Sequence, residues 1–139
     1  MASQKQIAAT RIAGDAGEVK AVLIAIAAWL IPGMGHALQR RWGRALIYFS
    51  SVGTLVAVGV AMHGNIFTWE GANDAFDLLG FLSNLGTGIF CLLAQRVGGG
   101  MVDVSHAAGD YGTRFLAVAG VLNLLCVLEA YEIARGRKS

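Results

Sequence analysis

The chain has 139 residues, of which 55% are hydrophobic and 14% charged, with a net charge of +2. Soluble domains carry roughly 25% charged residues, so a freely dissolved globular protein is a poor reading. The eleven Lys and Arg are scattered in twos and threes, which argues against a nucleic-acid binder. The length fits one unit, and the mean hydropathy of +0.57 makes a bilayer the natural solvent.

Residues 1–19 read as a polar N-terminal arm, and residues 20–139 as a single transmembrane helical domain. In the arm, Ile7, Ala8 and Ile12 can lay a short amphipathic helix on lipid head groups; a solvated or partner-docked tail is the plainer alternative. Lys5, Arg11 and Lys20 precede the apolar run 21–31, which imitates a signal peptide. Asp15 and Glu18 interrupt the leader, however, and no small-x-small cleavage site stands before Pro32, so an uncleaved first anchor is expected.

The first hydrophobic helix is predicted from about Val19 to Leu30, broken or kinked at Pro32-Gly33-Met34-Gly35 because proline lacks a donor and glycine is permissive. Residues 21–31 are too few to cross a hydrocarbon layer of about 30 Å at about 1.5 Å per residue. The helix therefore continues through the kink or re-enters, and irregular backbone at that depth survives only where protein or water satisfies it. Arg40, Arg41, Trp42 and Arg44 follow, the basic and aromatic mix of a head-group interface.

Residues 45–62 form the cleanest span, with Gly53, Ala57 and Ala61 on one face as a small-residue seam suited to close helix packing. An acidic connection over 63–77 carries Trp69, placed at a lipid interface. The third span is 78–95, with Asn84 inside it. Gly98-Gly99-Gly100 breaks the chain, a short surface helix is expected over 101–110, and the last span runs from Tyr111 to about Ala134. The fold expected is all-α: an integral membrane bundle of about four hydrophobic helices, the first kinked, with no internal repeat. Four crossings put Lys5, Arg11, Lys20, Arg135, Arg137 and Lys138 on one side and Arg40, Arg41, Arg44, Arg96 and Arg114 on the other. Counts so even do not orient the protein; both termini are read as cytoplasmic.

Candidate chemistry is sparse. His36, beside small residues, is the candidate to ligate a tetrapyrrole metal or carry a proton, set against a histidine bonded to a helix-end carbonyl. Asp103, His106 and Asp110 share a helical face that suits a divalent ion, though a solvated polar face explains them as well. Asn84 and Asn123 need partners in an apolar span and read as interhelical glue or as the lining of a solute path. Glu129 is expected to pair with Arg135. Cys91 and Cys126 read as small core residues. No nucleophile–base constellation, phosphate loop or CxxC pair appears.

Two segments carry a resemblance. Ala28-Trp29-Leu30-Ile31-Pro32-Gly33-Met34-Gly35-His36 followed by Arg41-Trp42-Gly43-Arg44-Ala45 resembles the PGxGH…RWGR signature of a small bacterial membrane-protein family of unknown function, itself distantly like the two-transmembrane-helix domain. The segment from Tyr111-Gly112-Thr113-Arg114-Phe115 through Glu129 to Lys138 is similar to that family's closing pattern, where Asp often replaces Glu129 and Glu132. The resemblance implies a small polytopic membrane protein without known catalysis. The function expected is therefore a non-enzymatic accessory or scaffold subunit of a larger, respiratory or photosynthetic type of complex in the inner membrane. Bound lipid and other integral membrane subunits would be its partners, in a hetero-complex rather than a homo-oligomer. The alternatives are a small transporter or channel-like oligomer and a cofactor-binding subunit.

Overall fold

Chain with so much Ala, Leu, Val and Ile and a single proline satisfies its backbone most simply as helix, which makes every hydrogen bond within the segment. The computed structural model describes residues 2–67, 75–98 and 107–137. Among them it holds six helices and no strand: α1 (Ala2–Leu30), α2 (Met34–Leu38), α3 (Trp42–Ala61), α4 (Ala75–Gly86), α5 (Ile89–Gly98) and α6 (Ala107–Ala134).

The α6 helix is the axis. Its buried positions are mostly small, Gly109, Gly112, Ala119, Gly120, Cys126 and Ala130, so neighbours approach closely on several sides. The antiparallel partner is α3: Arg44 meets Glu129 at one end, and Gly59 lies against Gly112 and Leu116 towards the other. Between them Val52, Val56, Leu116 and Ala119 form the larger core cluster, joined by Ala94 of α5. A smaller cluster of Ile24, Ala28 and Ala130 fixes α1 to α6.

The first hydrophobic segment does not cross. Glu18 of α1 meets Arg135 near the end of α6 at 2.8 Å, while the Trp29 carbonyl reaches back only to Asn123. At Pro32-Gly33 the chain turns, with Gly33 in the left-handed region at φ 82°. Helix α2 then climbs back, and Gln39 donates to the carbonyl of Ala130 at 3.0 Å. Thus α1 and α2 make a hairpin that starts and finishes at the same end of α6.

The predicted third span behaves the same way from the opposite end. Gly80 of α4 lies against Phe67, just beyond the C-terminus of α3, and the helix runs inward until Gly86 meets Gly120 and Asn123 of α6. It breaks at Thr87-Gly88, where Gly88 has φ 62° and the axes bend by 109°. Helix α5 returns beside the C-terminal half of α3, Phe90 against Gly53 and Phe49, and Val97 bordering Val60 and Ala61.

Among the described residues two helices, α3 and α6, are long and apolar enough to cross a membrane, or three spans if the bent α4–α5 pair is counted as one. The all-α expectation is met, and of the four spans expected two stand as single long helices, with the bent pair as the candidate third. The apolar half of α1, residues 21–30, reaches about 15 Å, and the 78–95 stretch contains a turn that hydropathy cannot see. Many large side chains face outward, among them Leu46 (67% exposed), Leu92 (64%) and Leu128 (60%). Leaving one such side chain in water forgoes about 1.5–3 kcal/mol of burial; lipid removes that penalty. The N-terminal arm is one helix with α1, and its residues 12–20 are all exposed.

Both hairpin turns depend on a left-handed glycine, and a Cβ on Gly88 would run into the Trp29 carbonyl. Gly88→Ala is expected to lower the thermal midpoint in detergent by an amount equivalent to about 1–3 kcal/mol. Gly14→Ala, where nothing lies within 4 Å, should leave it unchanged or raise it slightly, since alanine favours helix. Light-scattering-monitored unfolding of both variants makes the comparison; equal midpoints would contradict the turn assignment.

Candidate functional site

The densest chemistry lies where α2, α3 and α6 meet. The break at Pro32-Gly33 turns α2 so that His36 enters the interior with no exposed surface. Arg44 and Tyr48, four residues apart on α3, share one face of that helix and reach the same carboxylate on α6. Arg44 Nη1 donates to Glu129 Oε1 at 2.7 Å, and the Tyr48 hydroxyl donates to Glu129 Oε2. His36 Nε2 stands 3.5 Å from the same Oε2, with no hydrogen bond to it. Its Nδ1 is 3.6 Å from Cys126 Sγ, and its ring lies 5.0 Å from that of Tyr48. The corner is closed by Gln39, which donates to the carbonyls of Gly35 and Ala130 at 2.9 and 3.0 Å. Gly35 itself fits between the methyls of Ala28 and Ala130, too close for a side chain of its own.

Thiol, imidazole and carboxylate therefore stand in a row, the order that activates a nucleophile elsewhere. Here Cys126 and His36 have no exposed surface, so no substrate reaches the sulfur. What the arrangement does do is hold a carboxylate in place with a cation and a hydroxyl, which is how a charge is kept in a low-dielectric setting. His36 does not fit a tetrapyrrole: its two nitrogens face Cys126 and Glu129, and Tyr48 lies against its ring. Among the described residues no three His, Cys, Asp or Glu side chains are placed to hold a metal ion.

A second polar junction sits where the two hairpins meet. Asn123 Nδ2 donates to the Gly86 carbonyl at 2.7 Å and to the Trp29 carbonyl at 3.2 Å. Trp29 Nε1 donates to the Leu85 carbonyl at 3.0 Å. The last carbonyls of a helix have no partner within it; here α6 and α1 supply them for α4 and α1. Ser83 adds a bond from Oγ to the Ala117 carbonyl at 2.6 Å, and the Thr87 hydroxyl donates to the Asn84 carbonyl at 2.6 Å. Asn84 is buried, in keeping with a polar group turned away from lipid.

Several residues singled out from the sequence thus come together, and others do not. Pro32, Gly33 and Gly35 build the first turn, His36 the corner, and Asn123 the junction. Gly53 faces Phe90, whereas Ala57 and Ala61 are exposed. Trp42 is 70% exposed at the first turn of α3, beside Arg40 and Arg41. Arg44, placed at the lipid head groups by the sequence, is instead half-exposed and paired with Glu129. Glu129 does not pair with Arg135, which takes Glu18. The sequence reading missed Tyr48, Gln39 and Trp29. The i, i+4 spacing of Arg44 and Tyr48 and the i, i+3 spacing of Cys126 and Glu129 were available as signals. Asp110 pairs with Arg114 at 2.7 Å; Asp103, His106 and Trp69 lie outside the described residues.

The chain belongs to a family of unknown function, DUF6677, which matches residues 23–139. No curated protein and no solved structure matches it. Residues 1–22, the arm and the first residues after it, lie outside the matched region.

Two substitutions separate the corner from the junction. Asn123→Leu strands the Trp29 and Gly86 carbonyls and is expected to cost about 1–3 kcal/mol. Glu129→Gln removes the charge that Arg44 and Tyr48 hold and is expected to cost about 1–3 kcal/mol. Thermal unfolding in mild detergent reads both. Because the sites sit on one helix but share no partner, the double variant should lose close to the sum.

Proposed function

We propose that this chain is a multi-pass protein of the inner (cytoplasmic) membrane that catalyses no reaction of its own and serves as an accessory subunit of a larger membrane assembly. The observation that supports this most is the outer face of α3. Ser50, Thr54, Ala57 and Ala61, spaced i, i+4, i+7 and i+11, are all exposed and all small. Beside them a groove of about 380 Å³ runs between α3 and α5, lined by Gly53, Ala57, Ala61, Phe90 and Val97. Elsewhere α3 offers lipid the bulky Leu46 and Ile47. Small residues on an exposed helix face admit a neighbouring backbone and make van der Waals contacts that lipid chains make less well.

A hetero-complex is the form proposed, and its test is lateral association. In gently solubilised membranes the protein should migrate with other subunits on a native gel. Ala57→Trp should release it as a small species while leaving its unfolding midpoint within about 0.5 kcal/mol, as an exposed substitution allows. A wild-type protein that migrates only as a small species contradicts the proposal.

One observation favours a second reading, a small channel-like or transporter oligomer. Two half-helices from opposite ends point their carbonyl ends at one mid-depth level, an arrangement that elsewhere coordinates ions. Reconstituted protein should then move a small cation across liposomes, and Asn84→Leu should reduce that flux. Absence of flux removes this reading.

A further inference from the structure

The two hairpins change which charges share an end of the molecule. Because α1 and α2 return to the side they left, the α2–α3 turn lies at the same end as both termini. That end holds Lys5, Arg11 and Lys20 on α1, Arg40, Arg41 and Arg44 at the turn, and Arg135 and Arg137 after α6. Because α4 and α5 also return, the opposite end holds Arg96 and Arg114. The near-even distribution of four crossings becomes eight against two among the described residues.

Basic residues within about 15–20 positions of a span set orientation, and acidic ones count little; by that measure Arg40, Arg41, Arg44, Arg135 and Arg137 stand against Arg96 and Arg114, since Lys5, Arg11 and Lys20 lie further from α3. Helix α3 is 20 residues long, about 30 Å, the thickness of the hydrocarbon layer. Its first residue, Trp42, therefore stands at the head-group level, where its 70% exposed ring belongs. Arg40 lies just outside, exposed, at φ 60°. A left-handed backbone is unfavourable for a residue with a Cβ. Arginine there, instead of glycine or asparagine, is locally disfavoured and presents a cation at the membrane face. Arg41 and Lys20 lie at the same end.

We propose that this end faces the cytoplasm and that Arg40, Arg41 and Lys20 bind the phosphates of anionic phospholipids in the inner leaflet. The inference rests on the membrane reading above. Alkaline carbonate washing tests that premise separately: release of the protein would remove the premise itself.

Orientation is tested on the full chain with C-terminal reporters. A fluorescent protein that matures only in the cytoplasm should light up, and a phosphatase active only outside should stay silent; the reverse pattern overturns the proposal. Lipid binding is tested in nanodiscs of mixed phosphatidylglycerol and phosphatidylcholine, counting the phosphatidylglycerol retained after detergent exchange. Each arginine removed should weaken retention about fivefold, so Arg40→Gln with Arg41→Gln should lose most of it, while Arg96→Gln with Arg114→Gln should retain it. Equal retention in both double variants overturns the lipid assignment, including the case in which an acidic protein, not lipid, occupies the basic end.

Discussion

Two broken helices end against each other inside this protein, and the amide of Asn123 holds both ends. A helix terminus inside a bilayer exposes carbonyls that neither lipid nor the helix itself can satisfy. One side chain on α6 donates to the terminal region of α1 and to that of α4, and the indole of Trp29 ties the two hairpins directly. The arrangement is economical because α6 is already the surface on which both hairpins lie. The turns themselves are set by Pro32-Gly33 and Gly88; without that junction the carbonyls they leave at mid-depth lose their donor.

The junction and the Glu129 corner are successive levels of one buried stripe. Asn123, Cys126 and Ala130 follow at i, i+3 and i+7 along α6, so they face the same side. Asn123 fixes how far α1 enters. Ala130 and Gln39 then fix how far α2 returns, which sets where His36 meets Glu129. The corner is thus placed by the depth of the hairpin. It also solves an electrostatic problem: Glu129 is only about a quarter exposed, and a carboxylate there is tolerable because a guanidinium and a phenol hydrogen-bond it. Arg44 reaches that carboxylate from the first turn of α3, with about half of its side chain still exposed.

Much of this layout was legible in the sequence, and the limit is physical. Pro32-Gly33 announced the first turn, because proline and glycine carry backbone information that survives without a structure. Asn84 and Asn123 were recognisable as polar groups that must be satisfied internally. The second turn was not legible: Thr87-Gly88 sits in a run as apolar as any span, and hydropathy measures solvent preference, not direction. The same blindness made the 78–95 stretch look like a crossing, whereas the first segment, too short to cross, already read as kinked or re-entrant. The pairing of Glu129 was missed for another reason. Sequence distance favoured Arg135, six residues on, whereas the return of α2 brought α3 and Arg44 to its side across 85 positions. Element order does repeat, a hairpin and then a span in opposite senses. Packing does not, since α6 carries α1 and α4 while α3 carries α2 and α5, and a sequence search for similarity has nothing to find.

The distribution of polar groups bears on what kind of protein this is. Inside, most donors meet acceptors, Asn123 and Gln39 on carbonyls and Arg44 and Tyr48 on Glu129, while His36 Nε2, Asn84 Nδ2 and Asn123 Oδ1 are buried without a hydrogen bond. The row from Cys126 through His36 to Glu129 has catalytic order without access, since its sulfur and imidazole are both sealed. Catalysis needs a reacting atom within reach of substrate, so chemistry at this corner requires the hairpin to move. The open features are of another kind: a small-residue face along α3, an apolar groove beside it, and a basic rim at one end. They are the features on which the proposed lateral partners and lipid contacts rest. The polar groups of the interior are turned mostly towards one another, while the exposed side of α3 carries small residues beside an apolar groove.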